Sequence, residues 1–374
     1  MKLIAKITGA VAMLGLVTSA LAQAPGTRPP LIDSPVVHAD RTVTFRFRAP
    51  DAKKVELSGQ FQSANQPLQK DEAGIWSLTV GPVEPNLYPY NFVVDGVGVS
   101  DPNNPDLFPN ERFKASLLDV PGEPPAIYAR QNVPHGEVTY CTYESKTLGR
   151  TRPLLVYTPP GYRAGTGHYP VLYLVSGTTD TEETWFKVGR ANLILDNLIA
   201  QQKAVPMIIV LPYGNMMMGT PPPTSPQAAD MYKVFSDELV GNILPYVEAN
   251  YRTLPGREQR AIAGFSRGGG QSLFTAFSHP DKFAWIGSYS AYLTPEVFDK
   301  HFAALTAHPG ATNRQTKLLW LGVGKSDFLY PQATAFMMYL QEHQLDYRTL
   351  ITEGGHTWMN ARHYLTDTLQ LYFK

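Results

Sequence analysis

The chain has a single cysteine, Cys141, so no disulfide can form within it and the fold must rest on its core. Cys141 falls in an alternating, strand-like segment and reads as a packed thiol. Excess charge is also lacking: 32 Lys and Arg offset 32 Asp and Glu. That balance removes the electrostatic case for nucleic acid or an anionic membrane surface as a partner. The one long apolar run, residues 7–20, is short for a bilayer span. What is present is a chain of 374 residues, 43% of them hydrophobic, enough for two domains with real cores. The 32 Pro and 30 Gly imply many turns and ordered loops.

The N-terminus has the parts of an export signal: Lys2 and Lys6, the apolar run, then the small-residue site Ala20-Leu21-Ala22. Cleavage is expected after Ala22, with 1–22 as signal peptide and 23–35 as a flexible Pro-rich leader. No Cys follows the run for lipid attachment. The expected location is a bacterial periplasm or the extracellular space.

Residues 36–120 read as short strands and turns. Residues 41–48 and 54–58 alternate polar and apolar, as half-buried strands do. Residues 74–80 and 87–94 continue the series, and Asp95-Gly96 is a hairpin turn. This spacing predicts a small all-β sandwich. Trp76, Tyr88 and Tyr90 have two readings, a glycan grip or core. Alternation places Trp76 on the face of Leu78 and Val80 and favours core for it.

Pro121-Gly122-Glu123-Pro124-Pro125 opens a linker, 121–127. From 128 to 374 strands alternate with long helices, which predicts an α/β domain with a mainly parallel sheet. Strands are expected at 137–145, 152–157, 170–175, 206–211, 260–263, 283–289, 317–323 and 347–351. Helices are expected at 190–202, 231–251, 271–278 and 363–373.

The chemistry centres on Gly264-Phe265-Ser266-Arg267-Gly268. A G-x-S-x-G between a strand and a helix is the context of a nucleophile elbow, with Ser266 lifted off the sheet edge. A Ser hydroxyl needs a base, and the base needs an orienting carboxylate. His356 follows the last strand in the loop Glu353-Gly354-Gly355-His356-Thr357-Trp358 and is the expected base. His279, His301, His308 and His343 lie on or beside helices and read as surface. Asp327 follows the preceding strand and is the expected acid, its other reading being a helix cap. Glu353, Asp346 and Glu342 are weaker rivals. Two backbone N–H groups should form an oxyanion hole, one from Arg267 and one from Thr178 or Gly177.

With these residues placed, the second domain resembles the family 1 carbohydrate esterases, which have an α/β-hydrolase fold and include feruloyl and acetylxylan esterases. The likeness is carried by Val156-Tyr-Thr-Pro-Pro-Gly-Tyr162, Pro206-Met-Ile-Ile-Val210, Pro245-Tyr-Val-Glu-Ala-Asn-Tyr251, the stretch from Gly264 to Gly270, and Gly354-Gly-His-Thr-Trp358. The first domain resembles the family 48 carbohydrate-binding modules through Thr44-Phe-Arg-Phe-Arg-Ala-Pro-Asp51, Gly74-Ile-Trp-Ser77, Tyr90-Asn-Phe-Val-Val-Asp-Gly96 and Asp101-Pro-Asn-Asn-Pro105, which implies a small all-β immunoglobulin-like sandwich. The resemblance implies a Ser266–His356–Asp327 triad and an acyl-enzyme route without metal or organic cofactor. It also implies an ester of plant cell-wall polysaccharide, feruloyl or acetyl, as substrate. Alternatives are an esterase for a siderophore or other non-glycan ester, and a catalytically weak glycan-binding protein.

Two departures from the resemblance stand out. The family's His-Gly-rich loop after the third strand is Ser176-Gly177-Thr178-Thr179 here. The apolar residue usual after the nucleophile is Arg267, which could favour an acidic substrate group, pair with a nearby carboxylate, or point to solvent. The Met-rich loop 214–223 follows a strand end and could wall an acyl pocket.

Overall fold

Alternation in the first domain buries Val43, Phe45 and Phe47 on one side of the strand Val43–Arg48. The computed structural model describes residues 31–216 and 228–374, so the expected signal peptide and most of the leader lie outside the described residues. One sheet runs in the order Val36–Val37, Val43–Arg48, Ile75–Val80, Gln69–Lys70. The other runs Gln66–Pro67, Val55–Gly59, Asn86–Val94, Ala115–Val120, Leu107–Phe108. Val97–Val99 folds back on Asn86–Val94 through Asp95 and Gly96. Both turn residues have positive φ, 47° and 89°, as the twist of a tight hairpin requires.

The sheets close on Phe45, Phe47, Trp76, Tyr88, Tyr90 and Phe92. Of the two readings for Trp76, Tyr88 and Tyr90, packing gives core: they are 7%, 7% and 2% exposed. Trp76 Nε1–H donates to Ala49 O at 2.8 Å and Tyr90 O–H to Asp101 Oδ2 at 2.8 Å, which satisfies their polar tips. None of the three presents a ring face to a glycan.

The second domain is built on one eight-stranded sheet. Its strands are β1 (Glu137–Ser145), β2 (Arg150–Thr158), β3 (Val171–Val175), β4 (Ile208–Pro212), β5 (Arg260–Phe265), β6 (Trp285–Tyr289), β7 (Leu318–Gly324) and β8 (Arg348–Thr352). The spatial order is β1-β2-β4-β3-β5-β6-β7-β8, antiparallel over the first three and parallel from β4 onward. Every residue of β3, β4, β6 and β7 is buried. Helices cover both faces of such a sheet, so its strands read as unbroken apolar runs.

The helix expected at 231–251 is three pieces: Ala228–Glu238, a π-turn over Leu239–Ile243, and Leu244–Asn250. Pro245 lacks the N–H that a regular helix would use there, and the backbone widens just before it. Glu238, fully buried beside the π-turn, accepts hydrogen bonds from Tyr143 O–H, Ser145 O–H and Asn242 Nδ2 at 2.7–2.9 Å.

The sandwich is fastened to the α/β domain. Leu87, Phe108, Ala115 and Leu117 belong to the same apolar cluster as Trp185, Tyr289, Trp358 and Tyr364. Arg362, 2% exposed, donates to Val188 O at 2.8 Å, to Leu87 O at 3.1 Å and to Asn86 Oδ1. The expected linker, 121–127, holds no strand or helix, yet the two sides it joins share a core.

Candidate active site

Ser266 occupies the single residue between β5 and the helix Arg267–Ser278. Its φ of 57° and ψ of −125° are rare for a residue with a Cβ and cost on the order of 1–3 kcal/mol. Ser266 N–H donates to Tyr289 O at 2.8 Å, and Gly269 N–H to Ser266 O at 2.9 Å, which holds the turn from both sides. The helix starts four residues before the expected Gln271. Three consecutive glycines argue against a helix by propensity. Tertiary contact overrides this: a Cβ on Gly268 would lie 2.3 Å from Val175 O, and one on Gly264 would lie 2.4 Å from the Gly268 carbonyl. Only residues without side chains let the helix start so close to β3. Ser266 is left half-buried at the helix N-terminus, where developing negative charge is favoured.

Asp327 and His356 come together across the ends of β7 and β8. His356 Nδ1–H donates to Asp327 Oδ2 at 2.9 Å and Oδ1 at 3.1 Å, the proton assigned to Nδ1 because a carboxylate can only accept. Asp327 also accepts from Leu329 N–H at 2.8 Å ahead of the helix Tyr330–Glu342, so its two sequence readings are compatible. Burial pushes the Asp327 carboxyl up, but the hydrogen bonds from His356 and Leu329 outweigh it and hold the carboxyl below its ordinary range. Their two loops are joined by Ser326 N–H donating to Gly354 O at 2.9 Å. The His356 ring lies between Phe265 at 4.7 Å and Phe328 at 4.6 Å. Phe265 directly precedes Ser266, which sets His356 beside the elbow. Glu353 is exposed and paired with Lys325, while Glu342 and Asp346 are exposed on the surface.

The loop after β3 turns over at Gly177-Thr178-Thr179-Asp180. A Cβ on Gly177 would stand 3.4 Å from Ser266 Cβ, so this turn borders Ser266. Of the two donors expected from it, Gly177 N–H is already engaged, donating to Asp180 Oδ2 at 3.2 Å. Arg267 does not point away into solvent: its Nη2 donates to Gly177 O at 3.0 Å. Burial lowers the guanidinium's pKa, opposed by the negative charge of Glu111 and Asp180. As first residue of its helix, Arg267 has a backbone N–H without an intrahelical partner.

Sequence reading missed a third contributor, the end of the first domain. Asn110 Nδ2 donates to Thr179 Oγ1 at 3.0 Å and to Asp180 Oδ1 at 3.1 Å. Glu111 N–H donates to Thr179 O at 2.8 Å. The Glu111 carboxylate accepts from Tyr213 O–H at 2.5 Å and from Asn215 Nδ2 at 2.8 Å. Nothing in the local pattern of residues 109–113 signals this, because the contacts span about seventy to a hundred positions. In the Met-rich loop, Gly214, Asn215 and Met216 are described, and Met216 is buried in the core. Met217, Met218 and the rest to 223 lie outside the described residues. No group of three or more His, Cys, Asp or Glu among the described residues could hold a metal ion.

Comparison with known proteins gives two family matches. Residues 145–370 match the family described as "Putative esterase". Residues 35–108 match "Carbohydrate-binding module 48 (Isoamylase N-terminal domain)". A curated relative from Xylanibacter ruminicola, named "Endo-1,4-beta-xylanase/feruloyl esterase", is 32% identical over 277 residues, 71% of this chain and 37% of the relative. The chain thus spans little more than a third of that relative's length. A solved ferulic acid esterase superposes with TM-score 0.57 at 25% identity, over 65% of this chain and 99% of its own. The enterobactin esterase FES of Shigella flexneri has the same fold, with TM-score 0.62 at 18% identity over 89% of this chain and 93% of its own.

Proposed function

The chain belongs to this esterase family, and from that premise we propose that it is a serine carboxylic-ester hydrolase that removes feruloyl groups from plant cell-wall polysaccharide, acetyl being the second acyl group it would take. One observation carries the chemistry: an oriented His356–Asp327 pair beside a Ser266 held at a strained elbow. The names of the Xylanibacter relative and of the solved ferulic acid esterase support the acyl group.

Ser266 Oγ attacks the ester carbonyl carbon, and its proton passes to His356 Nε2. Asp327 accepts from Nδ1–H throughout and stabilises the imidazolium. The tetrahedral oxyanion takes hydrogen bonds from the N–H groups of Arg267 and Thr178. The intermediate collapses, the C–O bond to the sugar breaks, and His356 returns the proton to the departing sugar hydroxyl. Water, losing a proton to His356, attacks the acyl carbonyl carbon; the C–Oγ bond then breaks, the acid leaves, and His356 returns the proton to Ser266 Oγ. These steps use side chains and backbone alone.

An exported enzyme fits a polysaccharide substrate, and no helix among the described residues is long and apolar enough to cross a membrane. The test is initial rates on methyl ferulate and on 4-nitrophenyl acetate, with Ser266→Ala as control. Ferulate release that vanishes in the variant supports the reading. Ser266-dependent acetate release without ferulate release moves it to deacetylation. No Ser266-dependent rate on either ester sinks it.

A further inference from the structure

We infer that residues 109–111, which lie outside both family matches, are a clamp that holds the oxyanion turn in shape, with Asn110 and Glu111 as positioning residues for the esterase reaction. The inference rests on the reading of Ser266 as nucleophile.

The turn needs a clamp because of its own sequence. Thr179 has φ +64°, a conformation suited to glycine and unfavourable for a β-branched residue. The turn's own closing bond, Asp180 N–H to Gly177 O, is long at 3.4 Å. An isolated Ser-Gly-Thr-Thr-Asp segment would therefore relax Thr179 to negative φ. That relaxation rotates the peptide between Thr178 and Thr179 and disturbs the aim of the neighbouring Thr178 N–H.

The bonds that oppose this come from residues 109–111. Asn110 fixes the Thr179 hydroxyl and the Asp180 carboxylate together, and Glu111 N–H fixes the Thr179 carbonyl. Pro109 O accepts from Thr184 O–H at 2.9 Å, which ties the clamp to the segment just after the turn. The clamp is itself immobilised. Asn110 is 2% exposed, and its Oδ1 accepts from Arg112 N–H at 3.0 Å. Tyr213 and Asn215 hold the Glu111 carboxylate from the end of β4. The sandwich thus reaches the reaction centre through the backbone of a loop.

A group that aims an oxyanion donor acts on the transition state, so its loss lowers kcat and leaves KM nearly unchanged. Asn110→Ala is expected to lower kcat on 4-nitrophenyl acetate about ten- to a hundredfold, with KM within about threefold. Asn110→Ser, which keeps a hydroxyl donor, should retain more kcat than Asn110→Ala and covers the case in which alanine does not fold. The deciding variant is the double change Asn110→Ala with Thr179→Gly. Glycine adopts φ +64° without strain and needs no clamp. It should recover most of the lost kcat, judged against Thr179→Gly alone. A role of Asn110 in domain docking only would not be rescued by a glycine in the turn. Wild-type kcat in Asn110→Ala, or a double variant no faster than the single one, overturns the inference. Ser266→Ala, run alongside, separates the two levels: activity there close to wild type defeats the nucleophile assignment instead.

Discussion

Arg267 Nη2 donates to the Gly177 carbonyl at 3.0 Å, so the residue after Ser266 holds the loop that faces Ser266. The two departures from the esterase pattern are therefore one arrangement. A Thr-containing turn stands where glycines are usual, and the guanidinium that replaces an apolar side chain grips it. Of the three roles open to Arg267 in the sequence, this geometry leaves little reach for an acidic substrate group.

Arg267→Met is expected to lower kcat about tenfold by releasing Gly177 O. The ratio of kcat/KM between methyl ferulate and an ester carrying a free carboxylate should stay within about twofold of wild type, since the guanidinium is already engaged. A large shift of that ratio toward neutral esters would restore the substrate-binding role.

Asp327→Asn should cut kcat by about 10⁴-fold, the scale known when a triad histidine loses the partner that sets its tautomer. The carboxyl's pKa is depressed in the fold, so its contribution to stability is present above its unfolded value and is lost as pH falls through the folded one. Wild type should therefore lose more stability than the Asn variant on acidification below pH about 4. Thermal melts of both proteins at a series of pH values check this.

Asp180 has the opposite sign. Burial pushes its carboxyl up from 3.8 to about 7, against hydrogen bonds from Asn110 and Gly177 and the charge of Arg267. Between those values the folded protein binds a proton that the unfolded chain has released, so stability falls as pH rises. The full window corresponds to about 4 kcal/mol at 1.36 kcal/mol per unit. Urea midpoints from pH 4.5 to 8 should decline more in wild type than in Asp180→Asn. Parallel curves for the two proteins would rule out the buried charge as the cause.

Gly268→Ala should destabilise the fold by about 3 kcal/mol or abolish soluble expression, because its Cβ would meet Val175 O at 2.3 Å, and backbone cannot step aside as a side chain can. Gly310→Ala is the matched control. It lies in the helix Pro309–Gln315, where a Cβ would meet only the Arg314 side chain at 3.5 Å, and it should be neutral or stabilising by up to about 1 kcal/mol. Comparison of the two melting temperatures decides whether close approach or glycine flexibility governs the elbow.

The sequence by itself determined what depends on short-range pattern. Alternation at residues 43–48 and 75–80 makes strands, unbroken apolar runs make the parallel sheet, and glycines at 264 and 268 mark where a helix must start against a strand. The rule that loops after strand ends carry chemistry was enough to single out Asp327 and His356, which the fold sets 2.9 Å apart. Tertiary structure alone decided which backbone N–H groups are free, because Gly177 loses its donor to Asp180 three residues on. It also decided that Tyr88 and Tyr90 face a core, that Arg267 turns back to Gly177, and that Asn110 grips Asp180 seventy residues away. Hydrogen bonds are short-ranged in space and indifferent to separation along the chain. A contact between residues 110 and 180 exists only once the sandwich and the sheet have packed on a common core.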